Sequence, residues 1–85
     1  MLPLSEVKKL NRELADRINR EALSNPQSPY ANKFVGIANG QVVVVEDDLE
    51  TMVTQLEKIE PENQRTMCLE ASLDYSVVEE IWDVM

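Results

Sequence analysis

Apolar positions recur at different spacings along the chain, and the changes in spacing divide it into segments. Between residues 4 and 23 they recur every three or four positions, which predicts an amphipathic helix with Ser5 as its N-cap. The apolar stripe is narrow and consists of Val7, Leu10, Leu14, Ile18 and Ala22. So narrow a stripe indicates a helix that lies on a surface, either of its own domain or of another chain.

Residues 24–32 predict an extended linker after this helix. Pro26 and Pro29 cannot continue a helix, and each disfavours the helical conformation for the residue before it. The linker is long enough for the helix to pack on its own domain or to exchange with a partner.

The sequence FVGIANGQVVVVEDD, residues 34–48, predicts a β-hairpin. Asn39-Gly40 between two apolar runs is typical of a two-residue turn, in which both central residues take positive φ. A regular hairpin on this turn has an aliphatic face of Val35, Ile37, Val42 and Val44 and a flatter face of Phe34, Gly36, Ala38, Gln41, Val43 and Val45. Both faces are mostly apolar, so we expect a packed layer on each.

Residues 47–61 predict a second helix, with Asp47 as N-cap and Pro61 after its end. Its apolar stripe is expected to pack on the aliphatic face of the hairpin, and consists of Leu49, Met52, Val53, Leu56 and Ile59. Residues 65–71 alternate and predict a third strand, parallel to 41–45 through a crossover. Residues 74–85 fit either a short helix or an edge strand.

These segments predict one α+β domain over residues 1–85. Its parts are an N-terminal helix at 4–23, a linker at 24–32, a β-β-α-β core at 33–71 and a C-terminal element at 74–85. The expected sheet is small and three-stranded, with helices packed on it. A chain of 85 residues builds only one modest core, so we also expect oligomerisation.

The net charge is −8 and is unevenly placed. Residues 1–33 carry six Lys and Arg against four Asp and Glu, whereas residues 34–85 carry two against twelve. The acidic body should repel phosphates, so nucleic acid is not an expected partner. Cys68 is the only cysteine, and no segment has the pattern of a membrane span or signal peptide, so we expect a cytoplasmic protein without membrane contact.

The chain offers little for catalysis. It has no histidine, which excludes the commonest general base. Cys68 stands in mid-strand in an apolar context, so we expect a buried, unreactive thiol. Asp47, Asp48 and Glu50 could bind a hard cation, but they lack calcium-loop spacing and are better explained as helix-capping acids. We therefore predict no catalytic, cofactor-binding or metal-binding residue.

Two sets of residues are candidates for contacts with a partner. The predicted protein interface consists of Tyr30, Phe34, Val43, Val45 and Trp82, although core or edge packing within the domain is the better explanation of Tyr30 and Trp82. A DNA-contacting surface is the alternative, formed by Lys8, Lys9, Arg12, Arg17 and Arg20. Acidic side chains interleave with these, as is typical of a solvated helix surface.

The stretch YANKFVGIANGQVVVVEDDLETMVTQL resembles a small prokaryotic domain-of-unknown-function family over about residues 30–71. The matching pattern is Lys33-Phe34-Val35, a turn at Gly40, the valine-rich strand 42–45 and the helix start Asp48-Leu49-Glu50. The resemblance implies the order hairpin, helix, strand. It implies no activity, cofactor or catalytic residue.

The sequence by itself does not identify a function. We expect a non-enzymatic protein-protein interaction module that self-associates into a homo-oligomer and needs no cofactor. Two alternatives stay open: an antitoxin-like or DNA-binding regulator that uses the basic N-terminal helix, and a metal- or small-molecule-binding domain.

Overall fold

The computed structural model describes residues 2–74. Its elements are helix α1 at Leu4–Ser24, strand β1 at Phe34–Ala38, strand β2 at Gln41–Glu46, helix α2 at Leu49–Ile59, one 3-10 turn at Asn63–Arg65 and strand β3 at Thr66–Glu70. This order confirms the predicted α+β class. The predicted C-terminal element begins at Asp74 and otherwise lies outside the described residues.

The three strands form one sheet in the order β2-β1-β3, and β1 is antiparallel to both neighbours. β3 therefore runs in the same direction as β2, as predicted, but β1 lies between them. Because β1 is the central strand, its residues from Val35 to Ala38 are all buried. Within residues 2–74, β2 and β3 form the two edges of the sheet.

The hairpin has the predicted turn but not the predicted register. Asn39 and Gly40 have φ angles of 53° and 80°, as a tight turn with two positive φ values requires. Pairing follows the prediction only for the two pairs next to the turn. A β-bulge at Val43 then shifts β2 by one residue, so that Gly36 pairs with Val44 and not with Val43.

The bulge changes which face of the sheet each valine of β2 meets. Val43 and Val44 both pack against the cluster under α2, whereas Val45 stands opposite Val35 and is 39% exposed. An extra residue in one strand reverses the alternation beyond it, so the predicted face is correct for Val43 but wrong for Val44 and Val45.

A helix covers each face of the sheet, which confirms the expected two layers. α1 lies over β1 and β3, and its buried cluster consists of Ala15, Ile18, Ala22, Val35, Ile37, Leu69 and Ala71. α2 lies over β1 and β2, and its buried cluster consists of Ala38, Val44, Met52 and Leu56. α1 thus packs within its own chain.

The prediction that α2 covers the aliphatic face is wrong, because α1 covers it. Residue size explains this arrangement. The small Ala15 and Ala22 of α1 lie against the large Val35 and Ile37, whereas the large side chains of α2 lie over the small residues of β1. Protein interiors are close-packed, so a helix face of small side chains packs on large strand residues, and a helix face of large side chains packs on small strand residues.

The linker forms consecutive turns and is not extended as predicted. Ser28 N–H donates to the Asn25 carbonyl at 2.9 Å, and Ala31 N–H donates to the Ser28 carbonyl at 3.0 Å. Pro26 and Pro29 therefore occupy the second positions of two β-turns, where their fixed φ fits. The turns bury Ser28 and bring Tyr30 onto the cluster under α1.

Both predicted N-caps are displaced from the positions expected. α1 begins after Pro3, whose carbonyl accepts from the N–H groups of Glu6 and Val7, and no side chain caps it. The N-cap of α2 is Asp48, not Asp47. The Asp47 carboxylate instead pairs with Lys33, which draws it away from the helix end.

Candidate interaction surface

A groove runs along the surface between α1 and β3. It consists of two adjoining cavities of about 380 and 180 Å³, and both are lined by Arg12 and Met67. The other lining residues are Lys8, Asn11, Asn63, Gln64 and Thr66 in the larger cavity and Ala15, Asp16, Asn19, Cys68 and Leu69 in the smaller one. We call this surface the α1–β3 groove.

Asn11 fixes α1 beside the start of β3. The residue is only 2% exposed, in a helix face that is otherwise apolar. Its Nδ2 donates to the Arg65 carbonyl at 3.1 Å, and its Oδ1 accepts from the Gly40 N–H at 2.6 Å. A buried amide needs such partners, so the pairing fixes the position of α1 relative to both the turn and the strand.

Asn19 makes the corresponding contact at the far end of β3. Its Nδ2 donates to the carbonyls of Ala71 and Leu73, at 2.9 and 2.7 Å. Asn11 and Asn19 therefore hold α1 at the two ends of one strand. α1 and β3 run in the same direction, and Ala15, midway between the asparagines, lies level with the middle of β3.

A polar network joins the hairpin turn to the rest of the chain. The Asn39 N–H donates to the Arg65 carbonyl at 3.0 Å, and Arg65 Nη1 donates to Asn39 Oδ1 at 3.3 Å and to the Leu2 carbonyl at 3.2 Å. Asn39 Nδ2 also donates to Glu60 Oε1 at 2.8 Å. These side chains are engaged in holding the fold, so we do not assign them to ligand binding.

The outer edge of β3 carries backbone groups that do not face β1. On the β1 side, the Arg65 carbonyl accepts from the Asn39 N–H and the Ala71 N–H donates to the Lys33 carbonyl. Backbone direction alternates along an antiparallel strand, so the N–H and C=O groups of Thr66, Cys68 and Glu70 point away from β1. Of these, the Thr66 N–H donates to the Asn63 carbonyl and the Glu70 carbonyl accepts from the Leu73 N–H. In the part of the chain that the structure describes, β1 is the strand that pairs with β3.

The two edges of the sheet differ in regularity. β2 contains the bulge at Val43, and bulges are a common device against edge-to-edge pairing. β3 pairs with β1 in an unbroken register from Thr66 to Glu70. A straight edge of this kind can accept a further strand, so β3 is the better candidate for binding by strand addition.

Arg12 and Asp16 lie one helical turn apart beside this edge. Both are exposed, and both line the groove. Among residues 2–74 the ion pair that closes within 4 Å is Lys33–Asp47, so neither Arg12 nor Asp16 has a charged partner there. With Lys8, the groove thus presents two positive groups and one negative group to a binding partner.

Cys68 is exposed, so the prediction that it is buried is wrong. It pairs with Gly36, on the α2 side of the sheet, but α2 lies over β1 and β2 and leaves β3 uncovered. Partial desolvation and then the nearby Glu57 carboxylate raise the pKa of the Cys68 thiol above its ordinary 9.0. A raised pKa leaves little thiolate at neutral pH, which is unfavourable for a nucleophile.

The acidic start of α2 has a capping role. Asp48 Oδ2 accepts from the Thr51 N–H at 2.8 Å and from the Thr51 hydroxyl at 2.9 Å, which lowers the pKa of its carboxyl below 3.8. Asp47 is paired with Lys33. Within residues 2–74 no group of three metal-ligating side chains comes together.

The structure distributes the predicted interface residues over both layers. Tyr30 packs against the cluster under α1, and Phe34 and Val43 pack against the cluster under α2. Val45 is exposed, and Trp82 lies outside the described residues. The five are not brought together into one surface among the residues described, and their role at an interface stays a prediction.

The basic side chains of α1 are exposed, but only part of them faces the groove. Lys8 and Arg12 line it, whereas Lys9, Arg17 and Arg20 do not. The acidic side chains of α1 are exposed too: Glu6, Glu13, Asp16 and Glu21.

Sequence reasoning missed the asparagines that position this groove. The observed buried face of α1 consists of Val7, Asn11, Ala15, Ile18 and Ala22, at the same three- and four-residue spacing as the predicted stripe. The signal that could have revealed Asn11 is its place in this series, because a polar residue on a core-facing stripe must find hydrogen-bond partners.

No helix within residues 2–74 is long and apolar enough to cross a membrane. Comparison of the chain with models of known protein families, with curated proteins and with solved structures gives no match. The resemblance over residues 30–71 therefore stays a prediction, and the function is argued from the geometry of the groove alone.

Proposed function

We propose that this chain is a non-enzymatic interaction module that self-associates. The observation that carries the proposal is the unbulged outer edge of β3, with its outward backbone groups at Thr66 and Cys68 beside the α1–β3 groove. Exposed regular edges pair readily with another strand, and proteins commonly bulge or cover an edge that must stay single. Here the bulge is on β2 and not on β3.

Three further features support binding rather than catalysis. The sequence has no histidine. The exposed Cys68 has a raised pKa, so it is a weak nucleophile. The groove is shallow and has mixed polarity, as interaction surfaces often have, and its charged groups have opposite signs.

Analytical ultracentrifugation tests this proposal. The weight-average mass of the full chain should rise from 9.7 kDa toward a multiple of that value as the protein concentration increases. Association should weaken at high salt, because screening reduces attraction between exposed charges. A mass that stays at the monomer value at the highest concentration would refute self-association.

A second candidate function is a DNA-binding regulator of antitoxin type. Lys8 and Arg12 line the larger cavity, with Lys9 exposed next to them, and this observation favours a phosphate contact there. The acidic body opposes it, since residues 34–85 carry twelve acidic and two basic side chains. A gel-shift assay at low salt separates the two functions, and absence of a shift removes this candidate.

A further inference from the structure

We infer that the partner at the β3 edge is a second copy of this chain, bound about a two-fold axis that passes beside Met67. This inference rests on the proposed function and specifies which surface carries it. The two β3 strands would run antiparallel and join the two sheets into one, with both α1 helices on the same face.

The outward backbone groups of β3 limit the register. The Thr66 N–H donates to the Asn63 carbonyl within the chain, so the pairing uses the Cys68 N–H as donor and the Thr66 carbonyl of the other copy as acceptor. An isologous pairing then places Thr66 opposite Cys68 of the second copy, and Cys68 opposite its Thr66. Met67 lies opposite itself at the axis, as a two-fold interface requires.

The charged side chains beside the β3 edge indicate that the partner is a second copy of the same chain. α1 runs in the direction of β3, so two-fold pairing of the strands makes the two α1 helices antiparallel along the joined edge. Arg12 of one copy then faces Asp16 of the other, and the reverse contact occurs on the other side of the axis. Arg12 and Asp16, which have no charged partner within residues 2–74 of one copy, thus form two ion pairs in the dimer.

In the proposed dimer, the α1–β3 grooves of the two copies lie between the two α1 helices. Arg12 and Met67 are the two residues that line both cavities, so the proposed axis runs through the middle of the groove. Lys8 extends the basic side of the groove beyond the ion pair.

Charge reversal tests the inference without depending on the strand backbone. Arg12→Glu sets two carboxylates against each other in the dimer, and Asp16→Arg sets two cations against each other. Each change should weaken the dimer at least about tenfold in sedimentation equilibrium. The double variant Arg12→Asp with Asp16→Arg should restore association, because it exchanges the signs and keeps the pairing.

Arg17→Glu is the matched control for net charge. Arg17 is exposed on the same helix but does not line the groove, so its reversal should leave association within about twofold of the parent protein. Circular dichroism should show that all four variants are folded. Loss of association in the double variant, or equal loss with Arg17→Glu, would overturn the inference.

Cysteine crosslinking tests the register. Directly opposed residues in a non-hydrogen-bonded pair have Cα atoms about 4.5 Å apart, within the range of about 4.4–6.8 Å that a disulfide needs. Met67→Cys in a Cys68→Ser background should therefore form a disulfide dimer when diamide oxidises the two thiols. Cys68→Ser alone, which contains no thiol, is the control for other crosslinks.

The outcomes separate this inference from the proposed function. A monomer at all concentrations refutes both. A dimer that resists both charge reversals and gives no Met67→Cys crosslink preserves self-association but refutes the β3 interface.

Discussion

The two faces of the sheet are held by different kinds of contact. Under α2 the buried contacts are apolar, with Met52 and Leu56 against Ala38 and Val44. Under α1 an apolar cluster is joined by asparagine contacts near the two ends of β3. Apolar packing sets how closely a helix lies on a sheet, whereas directional hydrogen bonds also set its position along a strand.

This difference bears on function as well as on stability. Because Asn11 and Asn19 fix α1 lengthwise along β3, they determine which side chains of α1 border the outer edge of β3. Those side chains are Arg12 and Asp16, the charged residues of the proposed interface. On the α2 side the contact from Asn39 Nδ2 to Glu60 Oε1 joins the helix end to the turn, but it is exposed, and α2 lies over β1 and β2.

Met52→Ala should have the largest effect on stability. Met52 is fully buried at the centre of the cluster under α2, so truncation leaves a cavity and should cost about 3 kcal/mol of unfolding free energy. Urea denaturation measures this loss. Ile59→Ala is the matched control on the same helix, because Ile59 is 52% exposed, and it should cost less than about 1 kcal/mol. Equal costs in unfolding free energy would show that the burial of Met52 does not stabilise the packing of α2 on the sheet.

Asn11→Ala should cost about 2 kcal/mol, because it leaves the part-buried Gly40 N–H without a partner and removes one of the two hydrogen bonds that the Arg65 carbonyl accepts. Hydrogen exchange distinguishes this loss from simple helix weakening, since exchange at the Gly40 N–H should accelerate beyond that of β1. Lys9→Ala, at an exposed position of the same helix, is the control and should stay within about 0.5 kcal/mol of the parent protein. Unchanged protection at Gly40 would show that Asn11 does not anchor the turn.

The contrast between apolar packing and directional hydrogen bonds also explains how much of the fold could be predicted from the sequence. Apolar periodicity and turn chemistry identify the order of elements, the Asn39-Gly40 turn and the two-layered packing. They cannot reveal the bulge at Val43, because a run of four valines fits either face of a sheet. The register is decided by how well these valines fill the space under α2, and this depends on tertiary packing.

The candidate site was less predictable than the fold. Nothing local in the sequence shows that Arg12 and Asp16 lie beside an open strand edge, because the strand is more than fifty residues away along the chain. The burial of Asn11 was accessible in principle from its place in the helical stripe. The exposure of Cys68 was not, since it depends on α2 lying over β2 and leaving β3 uncovered.

Gly36→Ala should lower the unfolding free energy less than Asn11→Ala does. It tests how tightly β1 packs against α2. A Cβ at this position would stand 3.2 Å from Val44 Cβ and 3.3 Å from Leu56 Cδ1. Overpacking outweighs the gain from a less flexible unfolded chain, so we expect a cost of about 1 kcal/mol. Combining the change with Leu56→Val should cost less than the sum of the two single changes in urea denaturation. Strictly additive costs would mean that the added methyl group at position 36 does not contact Leu56.

The smallest change in unfolding free energy is expected for Asp48→Asn at the start of α2, and its size depends on pH. The Thr51 N–H and hydroxyl lower the pKa of Asp48 below 3.8, so the cap stabilises the fold above pH 3.8 and loses this contribution as pH falls through the lowered value. Asp48→Asn keeps an acceptor oxygen but does not titrate. The difference in unfolding free energy between the parent protein and this variant should therefore be constant above pH 3.8 and shrink below it. The cost of Asn11→Ala should not change over the same range, because that anchor is an uncharged amide. A pH-independent difference for Asp48→Asn would show that its carboxylate does not cap α2.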